Sequence, residues 1–282
     1  MTRPPEIAAA GQLACLLEVS APKPGNVSPD RHFHDTRYED FLASAVAIGP
    51  ALAQAHAVPL GQTIRRAVED TLRWTRSNTN LGIVLLLAPL ARAASQDTGT
   101  LRDRVGRVLA ETTVEDAIEV YAAIRQARPG GLGHSAEEDV AGRPTVTLRE
   151  AMGLAAQRDM VAQEYVTNFA RTFETGVPAL IEARTGGSSW TDAVIETYLA
   201  LLESGFDTHI ARKLGPAVAE SVSFKARQVR AAGGTRSPAG RRALEELDRE
   251  LRDPRNQRNP GSTADLTCAA LFVVILEGGW DR

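Results

Sequence analysis

The chain has 282 residues, 43% of them hydrophobic and 24% charged, with a formal net charge of −3 at pH 7. That composition is ordinary for a globular protein with its own core, and it argues against a nucleic-acid partner or an anionic membrane surface. The apolar runs are too short to cross a bilayer and the first residues lack the apolar segment of a signal peptide, so we expect a cytoplasmic protein.

Helix signals recur along the whole chain, whereas strand signals are nearly missing. Only 5% of the residues are aromatic, and no run alternates apolar and polar residues over a useful length. Caps and apolar periodicity predict helices over 7–19, 38–57 with a bend at Gly49-Pro50, 63–76, 81–91, 113–128, 147–175, 189–205 and 263–278, and further helices from Asp207 and Ser237. The sequence therefore predicts an all-α protein, a single compact domain over 1–282 with about nine or ten helices, and mobile linkers over 96–100 and 231–237.

Two Pro-Gly turns combine a rigid backbone with polar side chains. The first reads Pro-Lys-Pro-Gly-Asn-Val at 22–27, and the second reads Asn-Pro-Gly-Ser-Thr-Ala-Asp at 259–265. Proline fixes the backbone, glycine permits close approach, and each turn adjoins a helix end. Both turns therefore suit a phosphate-bearing or metal-bound ligand, with Lys23 as a preorganised point charge. The sequence leaves open whether the two turns form one site.

A carboxylate interrupts the apolar stripe of the helix predicted over 147–175. The stripe repeats at spacings of four and three residues, and Asp159 stands where the next apolar residue is due. A buried salt bridge or a helix-terminus contact would explain it. A polar cavity that binds a cation or a substrate hydroxyl would explain it equally well.

Two further acids stand beside glycine-containing turns. Asp207 follows Gly205 and could simply be an N-cap, and Asp265 near the start of the last helix could simply favour the helix dipole. With Lys23, Lys213 and Ser262 nearby in such turns, however, the acids resemble the set that binds magnesium and triphosphate. The histidines beside Asp35, at 32 and 34, fit a solvated loop better than a metal pair.

Amides and glycines supply weaker signals. Asn78 and Asn80 are either helix caps or partners for a base edge or ribose, since an amide both donates and accepts. Gly131 and Gly133 could end a helix or let the backbone approach a ligand. Neither common nucleotide-binding glycine motif, the P-loop or the Rossmann fingerprint, occurs in the chain.

Taken in order, these motifs resemble the triphosphoribosyl-dephospho-CoA synthase family over nearly the whole chain. The matching pieces are Glu18 with 22–27, Asp35, 41–44, 77–82, 130–133, Asp159, Asp207-Thr208 with Lys213 and Gly215, and 259–265. The resemblance implies an all-helical enzyme that transfers the triphosphoribosyl group of ATP to the ribose hydroxyl of 3'-dephospho-CoA and releases adenine. Carboxylates would stabilise the oxocarbenium character that develops at C1'.

The resemblance also implies roles for particular residues. We expect four carboxylates to converge on one cavity and to bind Mg²⁺, the cofactor for the ATP substrate, and three of the four to act in catalysis. The expected metal ligands are Asp35, Asp159, Asp207 and Asp265, and the expected catalytic residues are Asp35, Asp159 and Asp265. The expected substrate-binding residues are Lys23, Gly25, Asn26, Asn78, Asn80, Gly131, Gly133, Lys213, Asn259, Gly261, Ser262 and Thr263.

Departures from the family pattern indicate a divergent branch. The family motif Asn-Thr-His-Lys-Gly is Asn-Thr-Asn-Leu-Gly at 78–82 here, and the first turn has Asn26 where leucine is usual. The resemblance therefore implies ATP as a substrate more strongly than dephospho-CoA, and the identity of the acceptor stays open. The alternatives are a magnesium-dependent hydrolase of an N-glycosidic or nucleotide bond, and a non-catalytic nucleotide-binding helical protein. Small molecules are the expected partners, and a homodimer is one open option for the assembly.

Overall fold

The computed structural model describes residues 3–281, and helices are the only extended regular elements within them. An isolated antiparallel bridge joins Ser28 and Arg31. The all-α prediction is confirmed. The helices are α1 (Pro4–Ser20), α2 (Tyr38–Ala47), α3 (Gly49–Ala53), α4 (Leu60–Leu72), α5 (Leu81–Ala94), α6 (Leu101–Ala110), α7 (Val114–Ala127), α8 (Leu148–Ala155), α9 (Met160–Thr167), α10 (Val177–Thr185), α11 (Trp190–Glu203), α12 (Thr208–Leu214), α13 (Pro216–Ala231), α14 (Pro238–Leu251) and α15 (Gly261–Leu276).

The long helix predicted over 147–175 is wrong, because the chain breaks twice within it. Asp159 accepts hydrogen bonds from the backbone N–H groups of Val161 and Ala162, so it caps a new helix, α9, and does not continue α8. Asn168 and Phe169 then adopt positive φ values of 53° and 58°, which end α9. A side chain that binds the local backbone competes with helix continuation, and the apolar periodicity did not reveal that competition.

Three helices, α6, α10 and α13, were missed, although the sequence carries start signals for α6 and α13. Thr100 and Asp103 form a reciprocal capping box at the start of α6. Pro216 begins α13 directly after Gly215, whose φ of 90° ends the preceding helix.

The segment 231–237 is packed, which contradicts the mobile linker predicted there. Thr235 is buried, and its backbone N–H and hydroxyl both donate to Oε1 of Glu196, at 2.5 and 2.7 Å. A Cβ on Gly234 would come within 2.3 Å of the same oxygen. The glycines therefore allow close packing here and do not mark a flexible connection.

Two compact units emerge from the internal contacts. The first unit combines the residues before Leu16 with Glu39–Ala170, and the second combines Leu16–Tyr38 with the residues from Arg171 onward. In the first unit α4 packs on α5 and α7, and in the second α15 packs on α10, α11 and α12. Helices α5 and α15 are apolar on all sides and buried along most of their length, so each unit has a helical core. Because both units join separated segments, the single domain over 1–282 stays a prediction.

Among the described residues, no helix combines the length and the apolar character that crossing a membrane requires.

Candidate functional site

The two Pro-Gly turns meet in the second unit. Gly25 has a φ of 75°, and a Cβ placed on it would lie 2.9 Å from Cβ of Leu251 and 3.1 Å from Cδ of Pro260. The first turn therefore rests directly against the end of α14 and the turn that precedes α15. Only glycine fits both the backbone conformation and the space. The question that the sequence left open is answered, since both motifs belong to one place.

Lys23 fixes the first turn, which is not the ligand contact that we expected. Its side chain is fully buried, and Nζ lies 2.9 Å from Oε1 of Glu18. The ammonium also donates to the backbone carbonyls of Glu18 and Ala21. An ammonium has three N–H donors, so this arrangement uses all of them. The first turn folds back on the end of α1, and this brings Lys23 within ion-pair distance of Glu18.

Side chains of α14 and α11 hold the backbone of the same turn. Oδ1 of Asp248 accepts from the N–H of Gly25 at 2.8 Å, and Oδ2 accepts from Nε of Arg252 at 2.8 Å. Arg252 in turn donates to the carbonyl of Asn26 at 2.8 Å, and Nδ2 of Asn26 lies 3.1 Å from the hydroxyl of Tyr198. The amide of Asn26 therefore points into the protein, where it supports the turn.

Asp207 joins the starts of α12 and α15. Oδ1 accepts from the backbone N–H groups of His209 and Ile210, and Oδ2 accepts from the N–H and hydroxyl of Thr263, both at 2.7 Å. These four bonds occupy the lone pairs that a carboxylate offers, so this geometry leaves no oxygen for a metal. Burial raises the pKa of Asp207, and the hydrogen bonds from Thr263 oppose the shift.

Lys213 presents a different kind of cation at the last turn of α12. It is about half buried, and within the described residues no carboxylate lies within the 4.0 Å of an ion pair. Burial and the neighbouring Arg212 lower its pKa, while Asp253, Asp207 and Asp35 act in the opposite direction. A half-buried ammonium without a close counter-ion is suited to an anionic ligand.

The start of α15 adds an unsatisfied acceptor. Oδ1 of Asn259 is buried and has no hydrogen-bond partner among the described residues. A buried polar atom of this kind calls for a donor, such as a ligand hydroxyl or a bound water. The hydroxyl of Ser262 lies 3.1 Å from that of Thr208, and Gly261 rests against the ring of His209. The expected residues Asn259, Gly261, Ser262 and Thr263 thus lie together.

Of the four expected carboxylates, Asp35 and Asp265 are the two in this unit that stay at least partly accessible. Asp35 is exposed and lies 3.8 Å from Nε2 of His34, while Asp265 is half-buried in the second turn of α15. Within the described part of the chain, no group of three or more His, Cys, Asp or Glu residues is placed to hold a metal. Magnesium bound with nucleotide phosphates needs only one or two carboxylates, so the Mg²⁺ prediction is untested by that finding.

The remaining expected residues lie in the first unit. Asn80 donates to the hydroxyl of Thr71 at 3.0 Å, and Oδ1 of Asn78 accepts from the N–H of Leu81 at 3.1 Å. The amide of Asn78 therefore binds the first N–H of α5, whereas Asn80 is the N-cap residue by position but its side chain binds α4 and makes no cap hydrogen bond. Gly131 and Gly133 lie in an exposed loop with φ values of 75° and 68°.

Asp159 also belongs to the first unit, where its carboxylate caps α9. The apolar-stripe argument for it fails, because α8 and α9 are separate helices. Its expected convergence with Asp35, Asp207 and Asp265 on one cavity stays a prediction.

Several residues of the site were not expected from the sequence. Asp248 lies in the last turn of α14 and Arg252 is its C-cap residue, four positions on, while His209 and Arg212 are one turn apart on α12. In the sequence, the i,i+4 pair of Asp248 and Arg252 looks like part of an ordinary solvated helix face. His209 had no motif around it, although its position between Asp207 and Lys213 was a usable signal.

Comparison with known proteins places these motifs in a family. The chain matches the CitG family, described as ATP:dephospho-CoA triphosphoribosyl transferase, over residues 4–282. A Pseudomonas aeruginosa (strain UCBPP-PA14) protein named probable 2-(5''-triphosphoribosyl)-3'-dephosphocoenzyme-A synthase is 32% identical over 225 residues, 78% of this chain and 69% of that protein. A Stutzerimonas stutzeri (strain A1501) protein of the same name is 28% identical over 271 residues, 90% of this chain and 85% of that protein.

A solved structure supports the same assignment. It comes from Archaeoglobus fulgidus, was provisionally named a triphosphoribosyl-dephospho-CoA synthase, and aligns with a TM-score of 0.66 at 27% identity. The alignment covers 84% of this chain and 99% of that one. The resemblance drawn from the motifs is confirmed, and the chain belongs to the ATP:dephospho-CoA triphosphoribosyl transferase family of enzymes.

Proposed function

We propose that this chain transfers the triphosphoribosyl group of ATP to a hydroxyl of 3'-dephospho-CoA or a related coenzyme and releases adenine. The family match over 4–282 supports the reaction type. The observation that locates the proposed site is Lys213, a half-buried cation without a close counter-ion. It lies on the same helix as His209, whose ring lies against Gly261 of the second turn.

The triphosphate binds at the end of α12 and the start of α15 in this proposal. Arg212 and Lys213 supply adjacent positive charges, and the start of α15 adds the partial positive charge of a 16-residue helix. Asn259 contributes an acceptor for a ribose hydroxyl or an ordered water. Lys23 takes no part in binding and keeps the first turn in shape.

In this proposal, Mg²⁺ enters the site already bound to the phosphates of the nucleotide. Asp35 and Asp265 are the carboxylates that would complete its coordination, because the oxygens of Asp207 are fully used. The ion would neutralise phosphate charge, as it does in other nucleotide sites.

Departure of adenine leaves positive charge at C1', which an ionised carboxylate stabilises, and attack by the acceptor hydroxyl requires a base. Asp35 and Asp265 are the candidates for these two tasks in the second unit. Asp159 remains a candidate from the first unit.

Adenine release tests the proposed reaction. The protein is incubated with ATP and Mg²⁺, without an acceptor and with 3'-dephospho-CoA or a related coenzyme, and adenine is followed by chromatography. We expect adenine only when the acceptor is present. Release without an acceptor would identify a hydrolase, and no release with any coenzyme acceptor would identify a binding protein; either result would contradict the proposal.

A further inference from the structure

The three lysines of the chain differ in how their amines are held. Nζ of Lys23 is buried and ion-paired with Glu18, and Nζ of Lys225 is paired with Glu250 at the surface. Lys213 has no ion pair and no hydrogen bond within the part of the chain that the structure describes. Its Nζ is not one of the enclosed polar atoms that lack a partner, so solvent reaches it.

The surroundings of Lys213 favour the neutral form of its amine. The side chain is about half buried, and Arg212 precedes it in the last turn of α12. Burial and that neighbouring cation lower the pKa of this amine, and the carboxylates of Asp253, Asp207 and Asp35 oppose the shift. A lysine that is partly desolvated next to another cation is activated as a nucleophile.

Positive charge beside the amine selects among acyl donors. Arg212 supplies that charge from the neighbouring position of α12. An acyl phosphate carries its negative charge on the group bonded to the acyl carbon, so attraction of the phosphate brings that carbon close to the amine. A neutral acyl donor gains nothing from the same charge.

We infer that Lys213 is an acylation site, at which an acyl phosphate transfers its acyl group to Nζ. The lone pair of the neutral amine attacks the carbonyl carbon and forms a C–N bond. The C–O bond to the phosphate breaks, inorganic phosphate leaves with the electron pair, and a proton of the amine passes to solvent. The resulting amide carries no charge.

Acylation has a consequence for ATP that rests on the proposed function. An amide at Lys213 removes the half-buried cation assigned to the triphosphate, so the acylated protein should bind ATP about tenfold more weakly. The reactivity of the amine does not depend on that assignment. The acylation site and the place of the triphosphate can therefore be refuted separately.

Site-resolved mass spectrometry of the full chain treated with acetyl phosphate tests the modification. Acetylation rates at Lys213 and Lys225 are compared at mildly alkaline pH in the folded protein, and again in concentrated urea, where both side chains are exposed. Acetic anhydride, which carries no charge, is applied in parallel as the control for attraction of the phosphate.

We expect acetyl phosphate to modify Lys213 severalfold faster than Lys225 in the folded protein and at a similar rate in urea. The preference for Lys213 should be smaller with acetic anhydride. Equal rates at the two lysines of the folded protein would overturn the acylation site. An equal preference with both reagents would overturn acyl phosphates as the donor class.

Titration of ATP with Mg²⁺ into the acetylated protein tests the consequence. The matched control is Lys213→Arg, which keeps a positive charge but offers no amine. Treatment with acetyl phosphate should weaken ATP binding by the wild type about tenfold and leave Lys213→Arg within about twofold of its own untreated affinity. Unchanged ATP affinity after acetylation of Lys213 would refute the place of the triphosphate, while the acylation site would stand.

Discussion

Lys23 and Lys213 lie in the same unit of the chain, yet the structure uses them in opposite ways. Lys23 is fully buried and directs its donors at Glu18 and Ala21. Lys213 is half-buried, and no carboxylate of the described residues lies within 4.0 Å of it. The lysine inside the conspicuous motif supports the fold, whereas the lysine on an ordinary helix end remains available for a ligand.

The difference between Lys23 and Lys213 follows from how each positive charge is compensated. A buried ammonium is tolerated only when partners replace its water shell, so Lys23 requires the carboxylate and carbonyls around it. Lys213 keeps part of its hydration and can exchange water for phosphate oxygens. The third lysine of the chain, Lys225, pairs with Glu250 at the surface and provides a matched control for both.

Removing the ammonium of Lys23 should have the largest effect on stability. Lys23→Met would leave the carboxylate of Glu18, which is 4% exposed, buried without its partner. We expect the free energy of unfolding to fall by about 3–5 kcal/mol, measured by urea denaturation. Lys225→Met should cost less than about 1 kcal/mol. Similar small losses in both variants would show that Lys23 is not the structural residue described above.

Gly25→Ala tests the contact between the two turns. The new methyl group would meet Leu251 and Pro260 at about 3 Å and would hold alanine at a φ of 75°. We expect a loss of about 1–3 kcal/mol in the free energy of unfolding.

The control for that variant is Gly187→Ala in the same unit. Gly187 also has a positive φ, 85°, but nothing lies within 4 Å of an added Cβ. It should therefore show backbone strain alone. Equal losses at the two glycines would remove the argument that the first turn packs tightly against the second.

Acid pH should expose the neutral state of His209. Burial, with Arg212 and Lys213 adding to it, lowers the pKa of this histidine well below its ordinary value near 6.5. Above pH 6.5 both the folded and the unfolded state are neutral at this position. As the pH falls below 6.5 the unfolded state binds a proton first, so His209 reduces stability by at most about 1.4 kcal/mol per pH unit.

The measurement compares urea denaturation of the wild type and His209→Asn from pH 7.5 to 5.5. Asparagine does not titrate, so the stability of the wild type relative to the variant should decline across this range. A difference that stays constant with pH would mean that the histidine titrates normally in the folded state.

Local signals predicted much of the fold. The all-helical class, the helix cap at Thr113, the capping box at Thr147 and the N-cap at Asp207 are short-range features, and the structure contains them. The break at Asp159 was missed because a periodic pattern continues through a cap as easily as through a helix. The helix starts at Thr100 and Pro216 were readable but were not used.

The two motif turns were recognisable in the sequence, and the structure brings them together, since Gly25 lies against Pro260. The partners of the polar groups depend on contacts far apart in sequence, such as Asp207 with Thr263 and Gly25 with Asp248. No spacing rule reveals that the oxygens of Asp207 are already used or that Glu18 neutralises Lys23.

Calorimetric titration of ATP with Mg²⁺ into Lys213→Gln and Lys225→Gln tests the central claim most directly. Both substitutions remove one positive charge from the same unit, but only the first removes the half-buried cation beside the joined turns. We expect Lys213→Gln to bind ATP about tenfold more weakly than the wild type, and Lys225→Gln to bind within about twofold of it. Equal affinities in the two variants would contradict the assignment of the triphosphate to the end of α12.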